Sequence, residues 1–412
     1  MPRSPAERAL APLLALLLVP LAACSDDTPD YSYDAAAEAA RGIGKTLHAR
    51  VRAVRTGNER DFLATVVTDP AFVDQQSTYF ENLQQLPVGV FRYHLDRSTL
   101  ERDGDSGAYW GEVEITLRLE GYDAAPVHTR DRFLFQPGRS GRYRLASATD
   151  ATWEQNHLTG SQPWDVGPIE VRDAPGVLGI FDDATAGDAG TVLDVVEAAR
   201  DADVQVVPVD RTPDIVVYAT SDPSYLDELA GLAGGDPEQA DALTVPVPVD
   251  MADPGGRVAS YRILLSDDVL DQPRDVLGRL VRHELTHVLL GDRGHGAPLW
   301  LTEGLAEYVS VQPMPTWDRK LPPSALSLAA GVTDLPADED FSGPDARAWY
   351  AVSWWVCEYI ARDYGQQTLF WLLDELAGGT DQAEVLHRVL GLTSAQLALR
   401  GAALIQRTYG SG

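Results

Sequence analysis

The stretch HELTH occupies positions 283 to 287, and WLTEGLAEY follows at positions 300 to 308. At 100° per residue, the segment from Asp275 to Leu289 has the spacing of an amphipathic helix. Its polar face holds Asp275, Arg279, Arg282 and Thr286, and the opposite arc holds Leu277, Leu280, Val281, Leu285 and Val288. His283, Glu284 and His287 lie on or beside the apolar arc, where a polar side chain is unfavourable without a partner.

Two histidines four residues apart project side by side, one helical turn apart, which suits two coordination positions on one metal ion. Glu284 would be costly in a buried stripe unless a positive charge lay next to it. A zinc ion supplies that charge. The sequence therefore predicts a Zn²⁺ site on this helix.

Catalytic zinc sites use three protein ligands and leave one position open, so a third ligand is required. Glu303 is the candidate, with 15 residues between it and His287. It begins a second predicted helix, in which Gly304 allows close helix packing. Glu307 lies four residues further on the same face and is expected to accept the spare ring N–H of a zinc histidine.

Together, HELTH and WLTEGLAEY resemble the gluzincin metallopeptidases, and more narrowly the peptidase MA-like domain. The resemblance covers residues 169–412 and implies a thermolysin-like α+β domain with a helical C-terminal part. It implies that His283, His287 and Glu303 are zinc ligands, that Glu284 is the general base, and that the strand SYRILLS lies along the substrate. The gap before the third ligand is shorter than in the aminopeptidases, and no glycine-rich exopeptidase motif is present, so aminopeptidase activity is not implied.

A second zinc pattern overlaps the first. The metzincins use HExxHxxGxxH, and HELTHVLLGDRGH contains Gly291 and His295. Gly291 comes one residue late and His295 two residues late for that pattern. We therefore expect His295 to be a loop histidine near the cleft rather than the third ligand.

The stretch AWYAVSWWVCEYI, at positions 348 to 360, carries the last candidate. It resembles the segment in which related enzymes place an oxyanion-stabilising tyrosine, and the matching residue is Tyr350. The alternative is that Tyr350 belongs to an aromatic core with its tryptophan neighbours. Cys357, in the same stretch, is expected to be a buried small hydrophobic residue.

The chain length of 412 residues suits two domains after a targeting segment is removed. The net charge of -29 argues against a nucleic-acid partner, because binders of nucleic acid need basic patches. An acidic, well-solvated exported surface is the simplest interpretation.

Residues 1–23 have a positive start and a short apolar core, which is typical of a signal peptide. The ending LAAC resembles a bacterial lipobox, so Cys24 is the predicted lipidation site and residues 24–34 the predicted tether. An ordinary signal peptide that ends near a cysteine is the alternative. These features predict an extracytoplasmic protein that is anchored in the cell membrane by lipid.

Residues 35–158 consist of predicted helices followed by alternating strands, an α+β pattern that resembles the cone-shaped fold of the nuclear-transport-factor type. Residues 159–168 are the predicted linker. The next unit is expected to contain the strands IEVRD, VLGIFD, VQVVPV and DIVVYAT, a helix AGTVLDVVEAARDA, a loop over residues 234–256, the strand VASYRILLS and then helices only.

These observations favour a membrane-anchored zinc metallopeptidase that acts on a peptide or protein substrate. The alternative is a binding lipoprotein, in which the concave sheet of residues 35–158 holds a ligand and the peptidase fold is a scaffold.

Overall fold

The computed structural model describes residues 31–221 and 242–410. The predicted signal peptide, the lipidation site Cys24 and the first part of the tether lie outside the described residues. Helices and two five-stranded sheets make up the described chain, which confirms the α+β class.

The N-terminal unit packs helices against an antiparallel sheet of order β1-β3-β4-β5, with β2 paired to β3. Its elements are α1 (Tyr31–Thr56), α2 (Glu59–Leu63), α3 (Pro70–Gln85), β1 (Val88–Leu95), β2 (Glu101–Asp103), β3 (Ala108–Leu119), β4 (Val127–Pro137), β5 (Tyr143–Ser147) and α4 (Ala151–Glu154). Helix α1 begins at Tyr31, so the last residues of the predicted tether are helical. Helix α3 was not predicted, although Asp69 caps its first turn and Pro70 opens it.

The predicted linker, residues 159–168, is not an exposed connection. It contains the short helix α5 (Pro163–Val166). The Trp164 side chain is buried and meets the Tyr218 ring edge-on, with the ring centroids 6.2 Å apart. The Asn82 amide donates to the Trp164 carbonyl oxygen at 3.0 Å. The segment is therefore part of a core that both units share.

The second unit has a mixed sheet of order β6-β7-β8-β10-β9. Its strands are β6 (Glu170–Ala174), β7 (Val177–Phe181), β8 (Ile215–Ala219), β9 (Ala242–Pro248) and β10 (Val258–Leu265). The three central strands β7, β8 and β10 run parallel, and both edge strands are antiparallel to their neighbours. Helix α6 (Ala189–Asp203) connects β7 to β8, as a parallel pair requires.

The strand predicted for VQVVPV, residues 204–209, is wrong. These residues form the turn after α6, and the amides of Val206 and Val207 donate to the carbonyl oxygen of Asp203. Val207 is buried all the same. A short apolar run fits a buried turn as well as a buried strand, so its composition could not distinguish them.

The loop predicted for residues 234–256 is also wrong in part, because β9 lies within it. Pro246 and Pro248 belong to β9 and pair with residues of β10. Proline is tolerated there because β9 is an edge strand, where one side makes no ladder hydrogen bonds. The strand SYRILLS, within β10, is consequently internal to the sheet, and β9 separates it from the edge.

Both faces of the second sheet are buried. One face packs against α6 and the helical part of the unit through Val177, Phe181, Ile215, Val217, Ile263 and Leu265. The other face packs against the N-terminal unit through Leu178, Ile180, Val216, Tyr218, Val245 and Leu264. Burial on both sides explains why β7 and β8 read as continuous apolar runs.

From residue 267 onward the described chain is helical, as expected. The helices are α7 (Asp267–Leu270), α8 (Arg274–Leu290), α9 (Leu299–Ser310), α10 (Pro323–Gly331), α11 (Ala346–Tyr364), α12 (Gln367–Ala377), α13 (Gln382–Leu390) and α14 (Ser394–Tyr409). Within residues 31–221 and 242–410, no helix has the length and apolar character needed to cross a membrane.

Candidate metal centre

Helices α8 and α9 carry the candidate ligands, and a third helix fixes their spacing. Gly304 of α9 faces α11 so closely that a Cβ there would lie 2.7 Å from the Ser353 carbonyl oxygen and 2.9 Å from the Cys357 sulfur. Any larger residue would push the two helices apart. Gly304 therefore sets the position of Glu303 over α8. Cys357 is fully buried, as expected.

Three side chains converge between α8 and α9. The Nε2 atoms of His283 and His287 are 3.3 Å apart, and Glu303 Oε2 lies 3.3 Å from the first and 3.4 Å from the second. Ligand atoms of a tetrahedral zinc site with bonds of about 2.0–2.1 Å are separated by about 3.3–3.4 Å. The donor set and the spacing of its atoms are compatible with those of a tetrahedral zinc site.

The cluster is mostly buried but keeps one accessible side. The side chains of His283 and Glu303 are 12% and 14% exposed, whereas that of His287 is 23% exposed. A catalytic metal needs an open position for water and substrate. The exposure of His287 indicates the side from which the cluster can be reached.

Glu307 lies behind the ligands, where the sequence places it. Its Oε1 is 3.5 Å from His283 Nδ1, and its Oε2 accepts a hydrogen bond of 2.6 Å from Arg279. Arg279, His283 and His287 follow one another at four-residue intervals along α8, and they face Glu307 and Glu303 on α9. The result is a ladder of alternating cationic and anionic groups between the two helices.

The polar face of α8, to which Arg279 was assigned, does not all lie in solvent. The face is largely covered, because Thr286 is fully buried and the Arg282 side chain donates to the carbonyl oxygen of Ser310. The four-residue interval between Arg279 and His283 was the available signal, but helical spacing alone does not say where the partner helix lies.

The carboxylates keep this buried cluster charged. Burial alone would lower the pKa of His283, but hydrogen bonds to Glu303 and Glu307 raise that pKa well above its ordinary value. Burial alone would raise the pKa of Glu307, but His283 and Arg279 lower it to about 2. The pKa of Glu303 lies well below its usual range because both histidines outweigh its burial. A set of charged groups that cancel one another is what a buried site requires.

Glu284 is buried on the same turn of α8, with 6% of its surface exposed. Its negative charge raises the pKa values of both His283 and Tyr350, so its carboxylate lies near the cluster. Its main-chain carbonyl oxygen accepts a hydrogen bond of 2.9 Å from Thr244 on strand β9. The position is consistent with the expected general base.

Tyr350 reaches the cluster from α11. Its ring centroid is 6.2 Å from that of His283, and Phe341 packs against its other side at 5.2 Å with the rings perpendicular. It is half-buried, whereas Trp354 and Trp355 are fully enclosed in the core. Burial and the nearby carboxylates raise its pKa, so the hydroxyl keeps its proton and can donate a hydrogen bond.

His295 lies outside this group. It is exposed just after the turn that follows α8. In the described part of the chain, the three converging ligand atoms belong to His283, His287 and Glu303. This arrangement gives no support to a metzincin-type third histidine.

Comparison with models of known protein families finds none that matches this chain, and no curated protein matches it either. The functional interpretation therefore depends on the sequence motifs and on the geometry of the cluster.

Proposed function

We propose that the protein is a zinc-dependent peptidase of the gluzincin type that hydrolyses peptide bonds in a peptide or protein substrate. The observation that carries the proposal is the convergence of His283 Nε2, His287 Nε2 and Glu303 Oε2 at mutual distances of 3.3 to 3.4 Å. Two neutral imidazoles and one carboxylate are a donor set that zinc enzymes use.

These three residues would hold Zn²⁺, which supplies a water of lowered pKa and polarises a carbonyl group. Glu284 would accept the proton of the attacking water and pass it to the leaving amine. The protonated hydroxyl of Tyr350 would donate a hydrogen bond to the substrate oxygen as it gains negative charge. Glu307, fixed by Arg279, would orient the His283 ring.

The location of the protein is part of the proposal. The sequence of residues 1–23 and the lipobox-like LAAC support export and a lipid anchor on Cys24, so the peptidase would lie outside the cytoplasmic membrane. The acidic balance of the chain supports the absence of nucleic acid from its partners.

The alternative, a binding lipoprotein that uses its N-terminal sheet, has less support. A cavity beside that sheet, lined in part by Trp164 and Arg262, has a volume of about 30 Å³. That volume has room for one or two water molecules.

The test is Glu284→Gln in the full chain. We expect peptide hydrolysis to fall about 10² to 10⁴-fold, because the general base is lost, while zinc content stays at the wild-type level. Turnover would be measured on a peptide library, with metal content determined on the same samples. Glu375→Gln is the matched control, since it removes a carboxylate from a surface ion pair with Arg388. Equal turnover by Glu284→Gln and the wild type would refute the assignment.

A further inference from the structure

We propose that the N-terminal unit helps to fix the position of helix α8, which carries the candidate metal ligands. Asp123, Arg262 and Thr244 form the chain of contacts between that unit and α8. The proposal gives residues 35–158 a role within the candidate site rather than a separate binding activity. It rests on the proposed function only where zinc affinity is concerned, because the structural coupling is independent of metal.

The two units are joined by more than side-chain packing. The amide of Ala124 donates to the carbonyl oxygen of Ala259 in β10 at 2.9 Å. His128 of β4 exchanges two backbone hydrogen bonds with the segment after β9, donating to Val249 at 2.8 Å and accepting from Met251 at 3.0 Å. The hairpin β9–β10 is therefore bonded to the N-terminal unit at the end that carries its loop.

A buried ion pair lies at the centre of this interface. Asp123 Oδ1 accepts a hydrogen bond of 2.6 Å from the Arg262 guanidinium and another of 2.7 Å from the Ser260 hydroxyl. Its Oδ2 accepts from the Leu119 amide at 2.7 Å. The two charged side chains are only 1% and 2% exposed. Such a pair fixes the position of β10 because neither charge can be left alone in the interior.

Because neighbouring residues of a strand face opposite sides of the sheet, fixing β10 from one side also fixes the residues on its other side. Arg262 faces the N-terminal unit, and the next residue, Ile263, faces the helical core that contains α8. Ile263 pairs with Thr244 of β9. The Thr244 hydroxyl then donates to the carbonyl oxygen of Glu284 at 2.9 Å.

That hydrogen bond meets α8 between the two candidate histidine ligands. A shift of β9 would therefore displace the turn that carries His283, Glu284 and His287. Metal sites tolerate little displacement of their ligands, since small errors in geometry weaken binding. Asp123, Arg262 and Thr244 are thus positioning residues, although none of them reaches the ligand atoms.

Thr244 provides the sharper test. Thr244→Val keeps the side-chain shape and removes the donor, whereas Thr244→Ser keeps the donor. In the metal-free full chain, we expect Thr244→Val to speed amide hydrogen exchange at residues 284–288 about threefold to tenfold, and Thr244→Ser to stay within about twofold of the wild type. Zinc dissociation constants of the two variants should follow the same order. Equal exchange and equal zinc affinity in both variants would overturn the proposed contact.

Asp123→Asn tests the remote end. We expect faster exchange in α8 and zinc affinity lowered about tenfold or more, although the substitution lies in the other unit. Arg132→Gln is the control, because it breaks ion pairs with Glu101 and Asp150 within the N-terminal unit without reaching β10. Faster exchange confined to residues 31–158, with α8 and zinc affinity unchanged, would contradict the proposal.

The two tests separate this inference from the proposed function. A wild-type chain that binds no zinc would contradict the zinc peptidase, while exchange in the metal-free chain would still decide whether the N-terminal unit positions α8. If Asp123→Asn does not fold, the Thr244 pair still decides whether β9 positions α8, which the proposal requires.

Discussion

Two buried groups of charged residues lie on opposite sides of the second sheet, and they differ in how their polar atoms are used. In the interface pair, the Asp123 carboxylate accepts three hydrogen bonds and the Arg262 guanidinium also donates to Tyr218. In the helical cluster, the Nε2 atoms of two histidines and one oxygen of Glu303 lie 3.3 to 3.4 Å from one another.

The difference separates a structural charge pair from a candidate metal site. Asp123 and Arg262 neutralise each other and need no ligand. Such a pair contributes by favouring one arrangement of the chain over others. The two imidazole nitrogens and the Glu303 oxygen also satisfy one another, but they are atoms that can bind a cation in place of the histidine protons. Burial of charge alone therefore would not have distinguished the two groups, but the chemistry and the spacing of their polar atoms do.

Breaking the interface pair should have the largest effect on stability. Asp123→Ala leaves the buried Arg262 guanidinium without a negative charge beside it, and we expect the free energy of unfolding to fall by about 3–5 kcal/mol. Chemical denaturation of the full chain measures this. The double variant Asp123→Leu with Arg262→Met removes both charges and should recover most of the loss. A double variant as unstable as Asp123→Ala would show that the pair is not the source of the effect.

Weakening the support that Glu307 gives to His283 should have a smaller effect, and the quantity affected is the affinity for zinc. Glu307→Gln weakens the contacts with His283 and Arg279, and we expect zinc affinity to fall about 10 to 100-fold. Competition with a chromogenic chelator gives the affinity. Asp194→Asn, which removes the exposed partner of Arg274, is the control and should bind zinc like the wild type. Unchanged affinity in Glu307→Gln would remove Glu307 from the site.

Asp203 sharpens the comparison because it fits neither pattern. It is fully buried, and neither carboxyl oxygen has a hydrogen-bond partner among the described residues. Burial raises its pKa from 3.8 to about 8, against the opposing influence of Arg282 and His283. We therefore infer that Asp203 is a neutral acid at pH 7.

A carboxyl with a higher pKa in the folded chain binds more protons when folded, so stability decreases as pH rises from about 4 to about 8. Asp203→Asn should remove this dependence, which amounts to at most about 1.4 kcal/mol per pH unit. Denaturation at several pH values compares the two chains. Asp131, whose pKa burial also raises to about 8, is present in both and cancels in the difference. Identical pH profiles would mean that Asp203 is ionised in the folded state.

The helices of the candidate site were predictable because their signal is local. Helical spacing places His283 and His287 one turn apart, and Gly304 marks the close contact with α11. The same spacing put Arg279 on the polar face but did not predict its bond to Glu307, because a single helix does not reveal which of its faces a neighbouring helix will cover.

The interface between the units was not predictable, for a related reason. Asp123 and Arg262 are 139 positions apart in the chain, and the residues around each of them do not predict the partner. Trp164 lies in a segment rich in Pro and Gly that is typical of linkers, yet it is buried because the second sheet needs cover on both faces. Strand β9 was missed because proline normally argues against a strand, except at a sheet edge.

The most direct test of the central claim is the zinc content of the purified full chain, measured by elemental analysis for wild type, His283→Ala, Glu303→Ala and His295→Ala. We predict about one zinc ion per chain in the wild type and in His295→Ala, and loss of zinc in the other two variants. Absence of zinc from the wild type even after reconstitution, or retention of zinc by Glu303→Ala, would contradict the three-ligand site.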